Sequence, residues 1–550
     1  MKRIQSIIFA SALLALAGSA QAQRSYDFGG TTLEQSAVSA VDMFNISQTQ
    51  FAFGTARSAA MAGAFTSLGA DLSSMSINPA GLGMYRHNEV SLTPMLSFGN
   101  STTTGNRFER TNRTNFAVGN LGFALKLYES ATRGVTAVNF GFGYNRLADF
   151  NYTYSTSVDG ERASIVDAFA RQLASGGLKK SDFVNNFGWG GVDPALWGAS
   201  LGYLTGMVSD GSGAGAWGRD MIASPSVGQA TTIKNSGSIG EYLVSLGINI
   251  NNKVYIGASL GIQSVSMRRD VYYGENYTYA AEPSLDYRMD YVNYDQSSRI
   301  SGAGFNFKLG LVYRPIEGLR LGFAFHTPTY YSLTYKYRAG ATSRVKSQTT
   351  NPDGYTLDSN GYINPPFSEA TAQLVDDGPD SWEFISPSRM LFGASYTIGQ
   401  YAVISVDYER DWYNGIRVKN SPYGKGAFDD FARENFKGSN TLRVGAEVRI
   451  IPQLALRAGY GLWTGALKDK ESIFSSPAVR RTDYVGAGLG VAFSKAFFID
   501  LTYQYMHNRL TDYKTFYAYS TDGGSEEYSS PTFATKLRKH SVIMTLGFRF

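Results

Sequence analysis

The sequence predicts a fourteen-stranded antiparallel transmembrane β-barrel with an N-terminal hatch folded into its lumen. Three observations predict it: the chain ends in an alternating apolar strand, thirteen similar segments precede that strand with short connections at one end only, and a small-residue segment without alternation comes before the first of them.

At the C-terminus, Phe550, Phe548, Leu546, Met544 and Val542 occupy every second position, with Arg549, Gly547, Thr545, Ile543 and Ser541 between them. Successive strand residues point to opposite faces, so one face is apolar and the other largely polar. A terminal aromatic closing such a strand is expected of a barrel in the outer membrane of a Gram-negative bacterium. The start of the chain agrees. Lys2 and Arg3 precede an apolar run from Ile7 to Ala17 and then Ala20-Gln21-Ala22, which reads as a signal peptide over residues 1–22. That run is shorter than the roughly 20 residues a spanning helix needs. The chain has no Cys, so disulfides, thiol ligands and a lipid anchor at the cleavage site are excluded. A net charge of +5 is scattered along the chain and points to no nucleic-acid partner.

The strands pair into seven hairpins. Residues 88–98, 135–148, 254–266, 319–336, 401–412, 454–464 and 497–509 run one way, and 115–127, 238–250, 300–314, 383–398, 438–450, 481–493 and 536–550 run back. Connections such as 251–253, 315–318, 451–453 and 494–496 are very short, as periplasmic turns are, whereas those at the other end are long and polar. Closure removes sheet edges that lipid could not satisfy. Leu442, Val444, Ala446 and Val448 alternate with Arg443, Gly445, Glu447 and Arg449. A charge on the lipid face costs about 2–4 kcal/mol near the midplane. Arg443, Glu447, Arg449, Arg457, Asp407, Glu409 and Asp500 are therefore expected to line the lumen, chiefly as an ionic lattice that holds the barrel and whatever fills it.

Residues 23–87 form an N-terminal extension and the hatch, and residues 88–550 form the barrel. Residues 51–85 are dominated by Ala, Gly and Ser, with no period of two. Such a segment fills a barrel that would otherwise hold a water channel. Within it, Pro79 fixes its own φ and disfavours helix at Asn78, Asn78 can bond nearby backbone, and Gly81 relaxes the chain.

Gly54, Arg57, Gly63, Ala70-Asp71 and Asn78-Pro79-Ala80 together resemble the hatch of the FadL family of outer-membrane long-chain fatty acid and hydrophobic compound transporters, in which an Asn-Pro-Ala motif precedes the first strand. The segment from Gly302 to Pro328 resembles a hairpin common in that family. The resemblance implies a monomer in outer-membrane lipid, without cofactor, that passively admits hydrophobic small molecules, above all long-chain fatty acids. It also implies hatch movement and sideways exit through a wall gap where the third strand kinks. Gly141 and Gly143 are the kink candidates, because glycine inside a strand marks a bend or a close approach; small residues facing a crowded lumen explain them equally. Residues 23–50 depart from the family as an added extension.

The longest outer loop, residues 149–237, carries two expected helices. Ser164 caps one whose face holds Ile165, Phe169 and Leu173; Asp193-Pro194 starts another with Trp197, Leu201 and Leu204. With Trp189, these apolar residues (Phe169, Trp197, Leu201 and Leu204) either capture a hydrophobic substrate at the cell surface or pack together as a lid. His87, His326, His507 and His540 are widely spaced, and neither a catalytic nor a metal-ligand pattern appears. The competing readings are a surface structural or adhesive barrel, or a haem-binding one.

Overall fold

A computed structural model describes residues 40–48, 53–184 except 106 and 132, 192, 196–210, 217–218, 226–279, 287–347, 356–357, 359, 363–364, 370–373, 381–419, 427–468, 477–519 and 527–550. The expected signal peptide, Trp189 and Asp193-Pro194 lie outside these residues.

Fourteen strand paths close into one antiparallel barrel. They are β1 (Glu89–Thr104), β2 (Phe108–Glu129), β3 (Val135–Asp149, resuming as Tyr152–Glu161), β4 (Ser226–Ile250), β5 (Val254–Thr278), β6 (Tyr287–Tyr313) and β7 (Leu319–His326, resuming as Tyr330–Ser347). The remainder are β8 (Ser381–Ile385, resuming as Arg389–Ile398), β9 (Ala402–Asp411), β10 (Ser439–Ile451), β11 (Leu454–Thr464), β12 (Val479–Ala492), β13 (Phe497–Leu510) and β14 (Thr532–Arg549). Each pairs with its sequence neighbour, and β14 pairs with β1 from Glu89↔Arg549 to Thr104↔Ala534, which closes the ring. No membrane-exposed edge is left at that seam.

Burial alternates as the sequence requires. Leu442, Val444 and Val448 are exposed on the lipid side, whereas Arg443, Glu447, Asp407, Glu409 and Asp500 are buried in the lumen. Arg449 differs: it is exposed at the short-turn end of β10, where water rather than lipid receives it.

Two differences from the sequence reading concern strand length. The loop expected over 149–237 is shortened by ladder at both ends, because β3 resumes at Tyr152 and β4 already begins at Ser226. These stretches are Ser- and Thr-rich and lack an apolar face, so hydropathy hides them, yet the backbone ladder between them is regular from Tyr152↔Asn235 to Val158↔Gln229. Likewise β4, β5 and β6 run for 25, 25 and 27 residues, far beyond the apolar belt, against 10 for β9. The other difference is a paired break. Residues 319–336 and 383–398 do not run through, because Pro328 and Pro387 lie at the same height in adjacent strands and cannot donate to a ladder. Thr329 and Ser386 bridge the break, Thr329 N donating to Ser386 Oγ (2.9 Å) and Ser386 N to Thr329 O (3.0 Å).

The lipid-facing pattern predicts an asymmetry between adjacent residues. Val444→Arg is expected to destabilise the barrel by about 2–4 kcal/mol, read as a lowered urea midpoint for refolding into lipid vesicles.

Candidate functional site: the hatch, the strand-three break and the crown

The hatch spans residues 53–87 and contains short helices at Ala56–Ala60 and Ser74–Ile77 and a 3-10 turn at Pro79–Met84. It fills the lumen by backbone contact, and wall glycines make the room. A Cβ on Gly310 would lie 1.9 Å from Asn78 Oδ1, one on Gly257 2.2 Å from the Pro79 carbonyl carbon, and one on Gly322 2.2 Å from Thr66 O. Gly445 and Gly459 do the same for Met61. These five lumen glycines are therefore the imprint of the hatch on the wall, whereas others, such as Gly304 and Gly461, make room for the wall's own Tyr331 and Tyr484.

Asn78 is wholly buried and ties three elements together. Its Nδ2 donates to Thr66 O in the hatch (2.6 Å) and to Leu311 O and Phe323 O of the wall (3.3 Å each), while its Oδ1 accepts from Ala80 N (3.1 Å). Pro79 stands at the first position of the 3-10 turn, and Asn78 caps it. Arg57 reaches the wall: its Nε donates to Glu447 Oε2 (2.8 Å), which also accepts from Arg457 (2.7 Å), and Arg457 pairs with Asp500 (2.5 Å). Asp71 stays within the hatch and accepts from Thr55 Oγ1 (2.8 and 2.9 Å) and Ser73 N (2.9 Å). Gly54 has φ +113°, and a Cβ there would meet Ser73 Oγ at 2.6 Å; Gly63 has φ +73°. Asp407, one of the expected lumen carboxylates, accepts from Thr66 N at Oδ2 (2.7 Å), and sequence reasoning missed a further anchor, Ser76 Oγ to Glu241 Oε2 (2.8 Å). Pairs more than a hundred residues apart leave no local signal.

Strand β3 changes course within the wall. It pairs with β2 only from Ala137↔Glu129 to Asn145↔Asn120, and no described strand pairs with β2 over 108–119 on that side. After the break at Phe150-Asn151, Thr153 O accepts from Ser101 and Thr111, residues of β1 and β2. Further on, Val158 packs with Tyr513 and Phe533. Because Ser101 is buried on the lumen side, the second half of β3 passes inside β1 and β2. The bend is thus not at Gly141 and Gly143. There the ladder is unbroken to both β2 and β4, and these glycines instead receive the hatch, with Met75 Sδ 2.7 Å from a Cβ on Gly141 and Met75 Cε 2.7 Å from one on Gly143. Where β3 parts from β2, which leaves a slit between the two strands, Ser76 of the hatch sits at its foot, accepting from Asn145 Nδ2 (2.8 Å), and Asn120 Nδ2 in turn donates to Asn145 Oδ1 (2.5 Å).

Behind the slit lies a cavity of about 60 Å³, lined by Gln48, Phe53, Asp149, Phe150, Leu537 and Lys539 among others. Lys539 pairs with Asp149, Arg146 approaches the same carboxylate (3.5 Å), and Lys539 Nζ stands 5.3 Å from the centre of the Phe53 ring. This volume is far below the roughly 300–1,000 Å³ of a ligand pocket. Part of the N-terminal extension enters here: helix Ala40–Ser47 is buried in the mouth, its Phe44 ring 5.7 Å from Tyr413 and 5.4 Å from Phe436.

Above the cavity the outer loops form a packed crown. Helix Ile165–Ser175 is capped by Ser164, whose side chain accepts from Val166 N, and the second expected helix runs over Trp197–Leu204. Phe169, Trp197 and Leu201 are buried together and Leu204 is partly buried, so these residues form a lid rather than an exposed capture surface. Glu275, on the part of β5 beyond the belt, accepts from Ser164 Oγ, Tyr273 OH and Tyr277 OH (2.6 Å each) and from Ile165 N (2.8 Å). Burial holds its carboxyl above the usual range, against those donors. No group of metal-binding side chains occurs among the described residues.

A family model described as outer membrane protein transport protein (OMPP1/FadL/TodX) matches residues 217–550. Among solved structures, the Pseudomonas putida toluene transporter TodX is similar at TM-score 0.50 and 12% identity, over 91% of this chain and 99% of that one. A Pseudomonas aeruginosa FadL homologue (TM-score 0.48, 11% identity, 90% and 99% covered) and the Ralstonia pickettii toluene transporter TbuX (0.47, 14%, 92% and 100%) also match. At 12% identity the likeness to the first of these shows the fold alone. No curated protein matches the chain.

Two outcomes are expected here. Asn78→Ala leaves the buried Thr66 carbonyl without this donor, at a cost of about 1–3 kcal/mol, removes the links to the wall at Leu311 and Phe323, and should loosen the hatch, seen as raised ion conductance in planar bilayers. In the crown, a raised carboxyl pKa means that the folded state holds a proton the unfolded state releases. The stabilisation is full below the unfolded value of 4.5 and is lost as pH rises through the higher folded value. The protection factors for hydrogen exchange of residues 165–175, which remove the intrinsic pH dependence of exchange, should therefore fall across that rise in wild type but not in Glu275→Gln.

Proposed function

Because this chain belongs to the OMPP1/FadL/TodX family of outer membrane transport proteins, β-barrels of the Gram-negative outer membrane that carry hydrophobic compounds and are not enzymes, we propose that it admits long-chain fatty acids passively and releases them sideways through the slit between β2 and β3. The observation that carries this reading is the inward turn of β3 beside the cavity of Asp149, Phe150 and Lys539, with hatch residue Ser76 at the foot of the slit. Lys539 and Arg146 offer cations that a fatty acid carboxylate can take over from Asp149. Phe53, Leu537 and Phe150 offer the beginning of an apolar path for its tail.

The sequence of events is opening of the crown lid, passage past helix Ala40–Ser47, entry into an enlarged cavity, displacement of the hatch and lateral exit into the membrane. Enlargement is required, since even an engineered cavity that binds benzene measures about 150 Å³. The Asn120–Asn145–Ser76 chain of hydrogen bonds is the element that displacement breaks. Exit into lipid keeps the apolar tail out of the periplasmic water, which favours this route over an axial one.

Two measurements test the reading in cells that depend on this protein for uptake. A Ser76→Cys/Asn145→Cys pair, clean in a chain without native Cys, should stop uptake of labelled oleate when oxidised and restore it on reduction; unchanged uptake in the oxidised protein refutes lateral exit gated by the hatch. Lys539→Gln should weaken oleate uptake by about tenfold, the worth of one charge-assisted contact, while toluene uptake stays as it was. Equal loss for both would remove the carboxylate role and leave uncharged hydrocarbons as the cargo.

A further inference from the structure

The outer face of the wall at the barrel seam carries a basic patch that the transport path does not use. Strands β2, β1, β14, β13, β12 and β11 lie side by side there, and their register aligns outward residues in rungs. One rung is aromatic and apolar: Phe98, His540, Tyr505, Val485 and Tyr460. The next rung toward the long loops holds Asn112, Asn100, Arg538, His507 and Asp483. The one beyond holds Arg110, Thr102, Lys536, Arg509 and Arg481. Their outward direction follows from the buried residues between them, Ser101, Leu537, Asn508 and Thr482.

Five cations thus stand against one carboxylate. Asp483 answers Arg481 (2.6 Å) and Arg509 (3.8 Å). Arg110, Lys536 and Arg538 are exposed and make no ion pair among the described residues. Successive rungs are two residues apart, so at about 3.4 Å per residue the cations lie roughly 7 and 14 Å along the strand above the aromatic rung. Aromatic girdles mark the level where acyl chains end. The short turns identify the opposite end as periplasmic, so the patch faces the outer leaflet.

We propose that this patch binds the phosphorylated sugar headgroup of outer-leaflet lipopolysaccharide. Arg538, Lys536 and Arg509 take the phosphates, and Asn112, held by a bond from Asn100 Nδ2 to its Oδ1 (2.6 Å), offers its own amide to the sugar hydroxyls. Arginine and lysine at this height meet phosphate in a medium that screens charge less than bulk water does. A second basic rung, Arg268, Arg299 and Lys336 on β5, β6 and β7, is separated from its apolar rung of Ile262, Phe305 and Tyr330 by two neutral rungs. It stands too far above the acyl boundary for the same contact and serves as the control.

The experiment uses the full-length protein in neutral detergent and measures binding of purified lipopolysaccharide, of the same material after enzymatic dephosphorylation, and of phosphatidylglycerol vesicles. K536Q/R538Q/R509Q should bind lipopolysaccharide at least about tenfold more weakly, given roughly 1 kcal/mol per cation at an anionic surface, and R268Q/R299Q should bind as the wild type does. The dephosphorylated form should bind the wild type no better than lipopolysaccharide binds the triple variant. Full binding by the triple variant, full binding of the dephosphorylated form, or equally tight binding of phosphatidylglycerol overturns the proposal. Heat-modified gel mobility reports whether the variants fold, and the arms on unaltered protein decide the matter if the triple variant does not.

Discussion

A barrel of fourteen strands is too wide to be filled by its own side chains, and nearly every other feature of this protein answers that constraint. The filling is main chain rather than side chain. Hatch segments lie directly on wall glycines such as Gly257, Gly310 and Gly322, and polar wall residues collect the hatch's spare donors and acceptors. Asn78 makes this economical, because one amide serves the hatch turn and two wall carbonyls at once. The ionic pairs at Arg57–Glu447–Arg457–Asp500 are the charged counterpart of the same arrangement. A buried pair of this sort fixes position more surely than it adds stability.

Strand three is where the filling and the wall exchange roles. Below Asn145 it is ordinary wall, and beyond Asn151 it has become part of the contents, its Thr153 carbonyl served by side chains of β1 and β2. The ladder between β2 and β3 therefore ends where Asn145 holds the hatch through Ser76, and Asp149, four residues further along β3, lines the cavity with Lys539. The cavity draws its lining from the N-terminal segment, from β3 and from the last strand, at Phe53, Asp149, Phe150 and Lys539. The crown above it is closed by its own packing, with Phe169, Trp197 and Leu201 turned away from water.

The barrel was legible in the sequence because lipid imposes a period of two that no tertiary contact can override. Fourteen strands, their order and the inward charges such as Arg443 and Glu447 follow from that period alone. What lay beyond the lipid was not legible: the Ser- and Thr-rich ladder of β3 with β4 has no apolar face, and the alternation that signals a membrane strand is absent there. The hatch motif was visible at Asn78-Pro79-Ala80, but its partners were not, because Leu311 and Phe323 contribute only carbonyls, which every residue owns. Gly141 and Gly143 show the same ambiguity. A glycine in a strand signals a bend or a close neighbour with equal force, and only the position of Met75 separates the two.

The joining of the first strand to the last has a consequence for how the molecule is made. Ala56 N, near the start of the hatch, donates to Thr545 on the final strand, and Thr502 of the penultimate strand donates to Ala56 O. The start of the hatch is therefore held by the two strands that end the chain. Contacts spanning almost five hundred residues form slowly, and until the last strand meets the first the sheet carries two unpaired edges. The seam that seals the wall and the contacts that seat the hatch thus share residues, so a fault in one is felt in the other.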